Sequence, residues 1–513
     1  MSSSRAVARQ ERPTPRLPVD VRATANLVAV LAKYLGVAAL FPAVVALWYS
    51  EPVWPFLATG AITCGAGLAI ERLTAEDVRR VGMREGFLVV SVTLLMTAAF
   101  ASLPFLFVGG DQLGHPIDAY FEGMAGTTTT GASLVTDFDE LTKSLSMWRQ
   151  FTQWLGGMGI IILAVAVLPR LRVGGRQLME SELPGPEVAQ LPERIRQTAR
   201  LLWILYVGLT VVLTVALASL GWLGIDDRMT EFEALAHAFS TVSTGGFSTQ
   251  ANSIQPFSPA AQWIIALFML VGGMNFVLLY RGTVSRRPSV FARDEEFRLY
   301  MALVFAASIA LTIQIWGYDI VRSEEAVRAG VFQAVSVTTT TGFATEDFAL
   351  WPVLSLMTIF ALMFVGGSAG STTGSIKVVR HLLVGRVLRR ELAHTVSPEV
   401  VMPVRLNGAP VDERTLRAIA AFILLYIGFW VGGTAIIAID SAIGNVPLGA
   451  LDTLALSANA LGNGGPGFGI TGPFASFAPL GDVSKVTMIL LMWLGRLEII
   501  PVVVLLTRHY WRL

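Results

Sequence analysis

Ten apolar stretches dominate the chain, at 27–49, 54–71, 86–108, 147–168, 201–223, 260–280, 299–317, 354–385 with an interruption, 416–439 and 484–507. Each is long enough to cross about 30 Å of hydrocarbon as a helix. Inside a bilayer every backbone N–H and C=O must be satisfied by the chain itself, so runs of this length predict an all-α polytopic membrane protein. Composition agrees: 53% of the 513 residues are hydrophobic and only 15% are charged, too few charges for a string of soluble domains. The mean hydropathy is +0.61, and the 48 glycines and 24 prolines suit transmembrane helices better than soluble ones. A formal charge of +1 gives a nucleic-acid partner no electrostatic footing. The single cysteine, Cys64, excludes an intrachain disulfide and a cysteine-based zinc or iron–sulfur site.

The charges are placed asymmetrically. With the amino end inside, the segments 1–26, 71–85, 169–200, 281–298, 370–417 and the tail hold 30 of the 38 Lys and Arg. Six fall outside (Lys143, Arg149, Arg228, Arg322, Arg328, Lys485), and Lys33 and Arg496 lie within spans. This bias predicts that both termini are cytoplasmic. The first 25 residues are polar, with Arg5, Arg9, Arg12, Arg16 and Arg22, and carry no signature of a cleaved signal peptide.

Between the spans lie shorter segments rich in Ser, Thr and Gly, and they repeat: GMAGTTTTGAS (123–133), AFSTVSTGGFST (238–249), AVSVTTTTGFAT (334–345) and ANALGNGGPGFG (458–469). A long apolar span follows each, carrying Gly156-Gly157, Gly272-Gly273, Gly366-Gly367 and Gly495-Arg496. The first glycine of these pairs lies 25, 26, 24 and 30 residues after Gly131, Gly246, Gly342 and Gly465. Four occurrences at similar spacing define a unit of span, short re-entrant helix, polar loop and span. The expected organisation is a cytoplasmic segment (1–26), an extra N-terminal transmembrane hairpin (27–85) and pore repeats at 86–200, 201–298, 299–413 and 414–513.

Irregular backbone at membrane depth is tolerated only where protein buries it or water reaches it, so four such loops imply a shared polar axis. The economical arrangement is four pseudo-symmetric repeats around one central pore. Ser/Thr/Gly loops can replace a cation's water shell with carbonyls and hydroxyls, glycine supplies positive φ, and the short helices aim their negative ends at the ion. Small residues also serve close helix packing, but that alone does not call for one tract at the same place in four repeats.

These residues, together with GGSAGSTTGSIKVVR (366–380) and MWLGRLEI (492–499), resemble the Trk/Ktr/HKT superfamily of cation transporters and, within it, the TrkH-type potassium uptake subunits of bacteria. The likeness spans nearly the whole chain. It implies a potassium-selective filter at Thr129, Thr130, Gly131, Ala132; Thr244, Gly245, Gly246, Phe247; Thr340, Thr341, Gly342, Phe343; and Asn463, Gly464, Gly465, Pro466. Some plant relatives that have serine at the first position favour sodium, whereas all four positions here are glycine, so the resemblance implies potassium. The fourth loop departs from the pattern at Gly464, where similar proteins more often carry threonine, so one hydroxyl is expected to be missing there and discrimination to be weaker. The resemblance also implies a homodimer in the bacterial cytoplasmic membrane, surrounded by lipid, and a TrkA-like cytoplasmic regulatory ring. Potassium would be the substrate, with no organic cofactor on this chain and ATP or NAD only on the ring.

The run Gly366, Gly367, Ser368, Ala369, Gly370, Ser371, Thr372, Thr373, Gly374, Ser375 has four glycines and no large side chain, so a continuous helix is disfavoured and an intramembrane loop expected. In TrkH-like proteins that loop is the gate, which Lys377 helps to hold. Arg496 replaces the second glycine of the pair in repeat 4 and, mid-span, must face protein or water; a positive barrier below the filter is expected, with Glu498 badly placed to neutralise it two residues away on a helix. Lys33 is near enough to a span end to snorkel. Asp137, Asp139, Glu140, Asp226, Asp227, Glu346 and Asp347 are candidates for concentrating cations at the mouth, or are simply solvated loop residues. The Arg-rich segments 170–200 and 377–405 offer cytoplasmic docking surfaces.

Other chemistry is poorly supported. Residues 462–467 satisfy GxGxxG without a surrounding βαβ unit, and Gly370–Ser375 lacks the GK[ST] of a phosphate-binding loop. No catalytic triad or paired intramembrane carboxylates can be assembled, so an enzyme is not expected, and His237 on the second re-entrant segment reads as a packing residue. A proton- or sodium-coupled potassium symporter with broken helices and a midplane site remains the alternative.

Overall fold

The computed structural model describes residues 19–74, 82–166, 191–317, 324–399 and 402–511. Residues 1–18 with Arg5, Arg9, Arg12 and Arg16, residues 170–190 of the first Arg-rich segment, Arg322 and the last two residues lie outside them. The described chain is mostly helical, with one two-stranded ribbon, Arg405–Leu406 against Ala409–Pro410.

The chain opens with a hairpin. Asp20 accepts a hydrogen bond from the Ala23 N–H and starts Val21–Ala38, which runs through Leu40–Trp48; Trp54–Leu73 returns beside it. The two helices meet through glycine: a methyl on Gly67 would lie 2.8 Å from the Ala29 carbonyl oxygen, and one on Gly36 2.9 Å from that of Gly60. Here small residues do serve close packing. Lys33 forms an ion pair at 2.5 Å with Glu71, near the end of the returning helix.

The element order then recurs four times. Met83–Val108, Pro116–Thr127 and Lys143–Ala166 are followed by Leu191–Trp222, Glu231–Val242 and Pro259–Gly272. Next come Glu295–Gly317, Glu324–Thr338 and Val353–Leu362, then Glu413–Gly444, Ala450–Gly462 and Asp482–Arg496. In each set the short middle helix is only 12 to 15 residues long, and at least two thirds of its residues are buried. The last set closes on the first through the Lys485–Asp118 ion pair at 2.7 Å and a hydrogen bond from the Phe477 N–H to the Ser133 carbonyl.

Six described helices are long and apolar enough to cross a membrane unaided. The hydropathy of 260–280 and 484–507 predicts two more continuous spans, but both are broken, by 108° between Pro259–Gly272 and Phe276–Thr283 and by 113° between Asp482–Arg496 and Ile500–Leu506. At the first break Asn275 accepts from the N–H groups of Val277 and Leu278 and starts a new helix after Gly272-Gly273. Asparagine is a strong N-cap, and the glycines tolerate the turn. At the second, Glu498 and Ile499 adopt φ of 58° and 60° and Pro501, which has no N–H to donate, opens the next helix. With the expected break after Leu362, three of the four second spans are interrupted; only Lys143–Ala166 runs unbroken past its glycine pair.

Candidate ion-conduction site

Each short middle helix ends in a loop with the same backbone. Thr129, Thr244, Thr340 and Asn463 have φ of 53°, 50°, 52° and 54°, and two residues on, Gly131, Gly246, Gly342 and Gly465 have φ of 78°, 80°, 86° and 91°. The left-handed region disfavours L side chains, most of all next to a close neighbour. That neighbour is the next loop. A methyl on Gly342 would lie 2.8 Å from the Gly464 carbonyl oxygen, and one on Gly465 3.3 Å from that of Thr130. On Gly131 and Gly246 it would overlap the carbonyl oxygens of Gly245 and Thr341. Loop 1 therefore touches loop 2, loop 2 touches loop 3, loop 3 touches loop 4 and loop 4 touches loop 1: the four candidate filter segments form a closed ring.

The residue before each glycine is Thr130, Gly245, Thr341 or Gly464, so the absent hydroxyl expected at Gly464 is shared by Gly245. The two threonine hydroxyls are engaged with neighbours, Thr130 with Thr128 at 2.7 Å and Thr341 with Thr339 at 2.8 Å. Side chains behind the ring fix its outgoing strands. Glu122 accepts from the Leu134 N–H and the Ser133 hydroxyl, and Ser336 donates to the Phe343 carbonyl. His237, fully buried, lies 3.0 Å from the Ser248 hydroxyl and 2.8 Å from the Glu233 carbonyl, which is the packing role its position suggests. Arg149 and Glu122 form an ion pair at 2.7 Å, and the guanidinium also donates to the Ser248 carbonyl and lies over the Phe247 ring. The sequence gives no sign of that pairing beyond a basic residue on the outer side.

A cavity of about 220 Å³ adjoins the ring and is lined by Gly131, Gly246, Gly342 and Pro466 together with Phe138, Phe247, Phe474 and Phe477. None of the seven acidic candidates for the mouth lines it. Asp226 is buried and accepts from the Ser258 and Arg228 N–H groups, and Asp347 accepts from the Ala349 N–H; both carboxylates hold loops together. Glu346 is half-buried, and burial with Glu325 nearby pushes its carboxyl above the usual range.

On the other side of the ring lies the glycine-rich segment. Between Val353–Leu362 and Val378–Val396 the chain is an irregular loop, as its composition predicts. The Gly374 N–H donates to the Thr340 hydroxyl at 2.8 Å, and the hydroxyls of Thr372 and Thr244 are 3.1 Å apart, so the loop touches candidate filter loops 2 and 3 directly. It is folded on itself by Gly366 to Ile376, by Val378 to Gly367 and by the Ser371–Thr373 hydroxyl pair. The Ser368 N–H donates to the Gly273 carbonyl at the break in repeat 2, while the Gly370 carbonyl accepts from Phe276. Lys377 donates to the carbonyl and hydroxyl of Thr373, Ser375 donates to the Met363 carbonyl, and Glu296 accepts from the Ala369 and Val379 N–H groups at the two ends.

Arg496 is only 4% exposed. It donates to the Thr372 carbonyl at 3.0 Å and to the Gly156 carbonyl at 3.3 Å, tying the glycine-rich loop to the second span of repeat 1. Glu498 pairs with Arg380 instead. Arg386 and Arg390 pair with Glu295 and Glu413, so these arginines of the second Arg-rich segment already have carboxylate partners within the chain. Three tyrosines that the sequence does not single out, Tyr206, Tyr300 and Tyr426, are buried on the first long helices of the second, third and fourth sets. Tyr206 and Tyr300 donate to the Trp154 and Leu270 carbonyls, and Tyr426 lies 3.5 Å from the Ser375 hydroxyl.

A helical membrane protein with a closed ring of four polar loops and two broken apolar spans has the frame of a cation transport protein. The family model for TrkH cation transport proteins matches residues 56–511. The chain is 35% identical over 497 residues to the Trk system potassium uptake protein TrkH of Escherichia coli K12, covering 96% of this chain and 99% of that protein. It is likewise 35% identical over 504 residues to the Trk system potassium uptake protein TrkH of Vibrio parahaemolyticus serotype O3:K6, covering 96% and 100%. The crystal structure of the potassium transporter TrkH from Vibrio parahaemolyticus superposes with a TM-score of 0.85 at 33% identity, covering 96% of this chain and 99% of that one. The chain belongs to the TrkH family of cation transport proteins.

Proposed function

We propose that this chain carries potassium into the cell through a filter made by the four loops around Gly131, Gly246, Gly342 and Gly465. The observation that carries the reading is the closed ring: four positive-φ glycines, each packed on a carbonyl oxygen of the next loop. Backbone carbonyls brought together in this way can replace an ion's water shell. The relatives named as potassium uptake proteins support potassium as the substrate. The segment Gly366–Ser375 is the gate, with Lys377 stabilising its closed form and Arg496 supplying a positive barrier that also fastens it. The chain is not an enzyme and needs no organic cofactor of its own.

The same reading places the protein in the bacterial cytoplasmic membrane with both ends inside, as a homodimer. A TrkA-like ring that binds ATP or NAD moves the gate from the cytoplasmic side. The breaks in repeats 2 and 4 favour one other reading, since ion-coupled symporters use interrupted helices at mid-membrane. Rubidium-86 uptake into proteoliposomes separates the two. Uptake driven by membrane potential alone, and inhibited by potassium at lower concentration than by sodium, is expected. Uptake that requires a proton or sodium gradient would replace the filter-and-gate reading with symport.

A further inference from the structure

Two of the four loops have glycine where the other two have threonine, and in both of these a carboxamide occupies the vacated space. A methyl on Gly245 would overlap the carboxamide of Gln153, and one on Gly464 would lie 2.9 Å from Asn459 Oδ1. Both carboxamides bond the loop they face. Gln153 Nε2 donates to the Gly245 carbonyl at 2.6 Å while its Oε1 accepts from the Phe247 N–H at 3.1 Å, so one side chain bridges Gly246. Asn459 Nδ2 donates to the Pro466 carbonyl.

Gln153 is fully buried on Lys143–Ala166, the one second span that runs unbroken past its glycine pair. Three residues before the first glycine of the pair, the other repeats carry Met269, Met363 and Met492. Packing at this position therefore needs a long side chain and not a polar one. A buried carboxamide satisfied at both ends is a device for fixing geometry, because either end left alone would be penalised.

We infer that Gln153 is a positioning residue for ion discrimination: it replaces the threonine side chain missing at Gly245 and holds loop 2 at the spacing that separates potassium from sodium. The inference rests on the proposed filter. It makes loops 1 and 3 braced by threonine and loops 2 and 4 by carboxamides, a twofold alternation inside the fourfold ring.

The test uses the full chain in proteoliposomes and reads the ratio of sodium to potassium concentrations that half-inhibit rubidium-86 uptake. Gln153→Met, which installs the side chain of the other repeats, should lower that ratio by about tenfold, the scale of one good buried hydrogen bond. Adding Gly245→Thr should recover most of it, because the introduced hydroxyl has Ser243 two residues back, as Thr130 has Thr128 and Thr341 has Thr339. An unchanged ratio in Gln153→Met, or a double variant no better than the single, would overturn the inference. If Gln153→Met does not fold, Gln153→Glu keeps the acceptor for Phe247 and loses the donor to Gly245, and an unchanged ratio there is equally fatal. Failure of both to fold would make Gln153 a structural residue and overturn its role in discrimination. Gly246→Ala separates the two levels: a normal ratio in that variant sinks the filter itself, whereas an altered one beside a normal Gln153→Met sinks only the inference.

Discussion

Replacing Arg496 by alanine should raise potassium flux in the absence of any cytoplasmic partner. The guanidinium is buried, has no carboxylate pair among the described residues, and lies between the Thr372 and Gly156 carbonyls on the side of the ring occupied by the glycine-rich loop. Two effects are removed together. A unit charge about 8 Å from a monovalent cation, at an effective dielectric of about 20, opposes it by roughly 2 kcal/mol, or about 30-fold in occupancy; at the dielectric of water the figure falls to about twofold. The bond to Thr372 is also lost, and hydrogen bonds to charged groups contribute about 1.5–3 kcal/mol each, so the loop loses a fastening on the same scale. Partner-free rubidium-86 flux through Arg496→Ala should therefore rise between about 2-fold and 30-fold. Arg496→Lys should fall between, since it keeps the charge but not the two-armed reach. The measurement is initial uptake rate per folded transporter, normalised by size-exclusion profile. A well-folded Arg496→Ala at or below the wild-type rate would refute the barrier and leave the residue a structural tie.

Gly131→Ser puts a side chain at φ 78° against the Gly245 carbonyl and should reduce the preference for potassium over sodium by about tenfold; unaltered inhibition constants in uptake assays would count against a filter role for that loop. Glu122→Gln strips a fully buried arginine of its counter-charge, and a loss of about 3–5 kcal/mol should appear as a lower thermal midpoint and poor yield; a midpoint within error of wild type would contradict the importance of the pair. Glu346 has its carboxyl pKa raised in the folded chain, so the protonated form is favoured and its contribution is lost as pH rises through the raised range. Glu346→Gln should then be the more stable at neutral pH, with the difference vanishing on acidification; a gap that widened in acid would reverse that sign.

What could be read from the sequence depended on how local the cause was. The four loops were legible because their conformation is written in adjacent residues: a Thr or Asn and a Gly two apart, at the end of a short helix, four times over. The glycine-rich loop was legible for the same reason. The breaks in repeats 2 and 4 were not, because hydropathy averages over a window and Asn275 and Pro501 are single residues inside it. Asn275 two residues after Gly273, and Pro501 shortly after Arg496, were the signals available. Bracing contacts were out of reach altogether. Gln153 meets Gly245 across 92 residues, Arg496 meets Thr372 across 124, and nothing near either residue announces its partner. The fourth loop shows the difference most plainly: Gly464 looks like a defect in the sequence, and in the structure Asn459 fills its place.

If the ion sheds its water in the ring of four loops, it must be found there. The direct measurement is anomalous diffraction from crystals grown in rubidium, with a matched set in sodium. Rubidium peaks are expected on the axis enclosed by Thr130, Gly245, Thr341 and Gly464, and none there in sodium. Transport-competent protein whose rubidium lies elsewhere, with the ring empty, would contradict it.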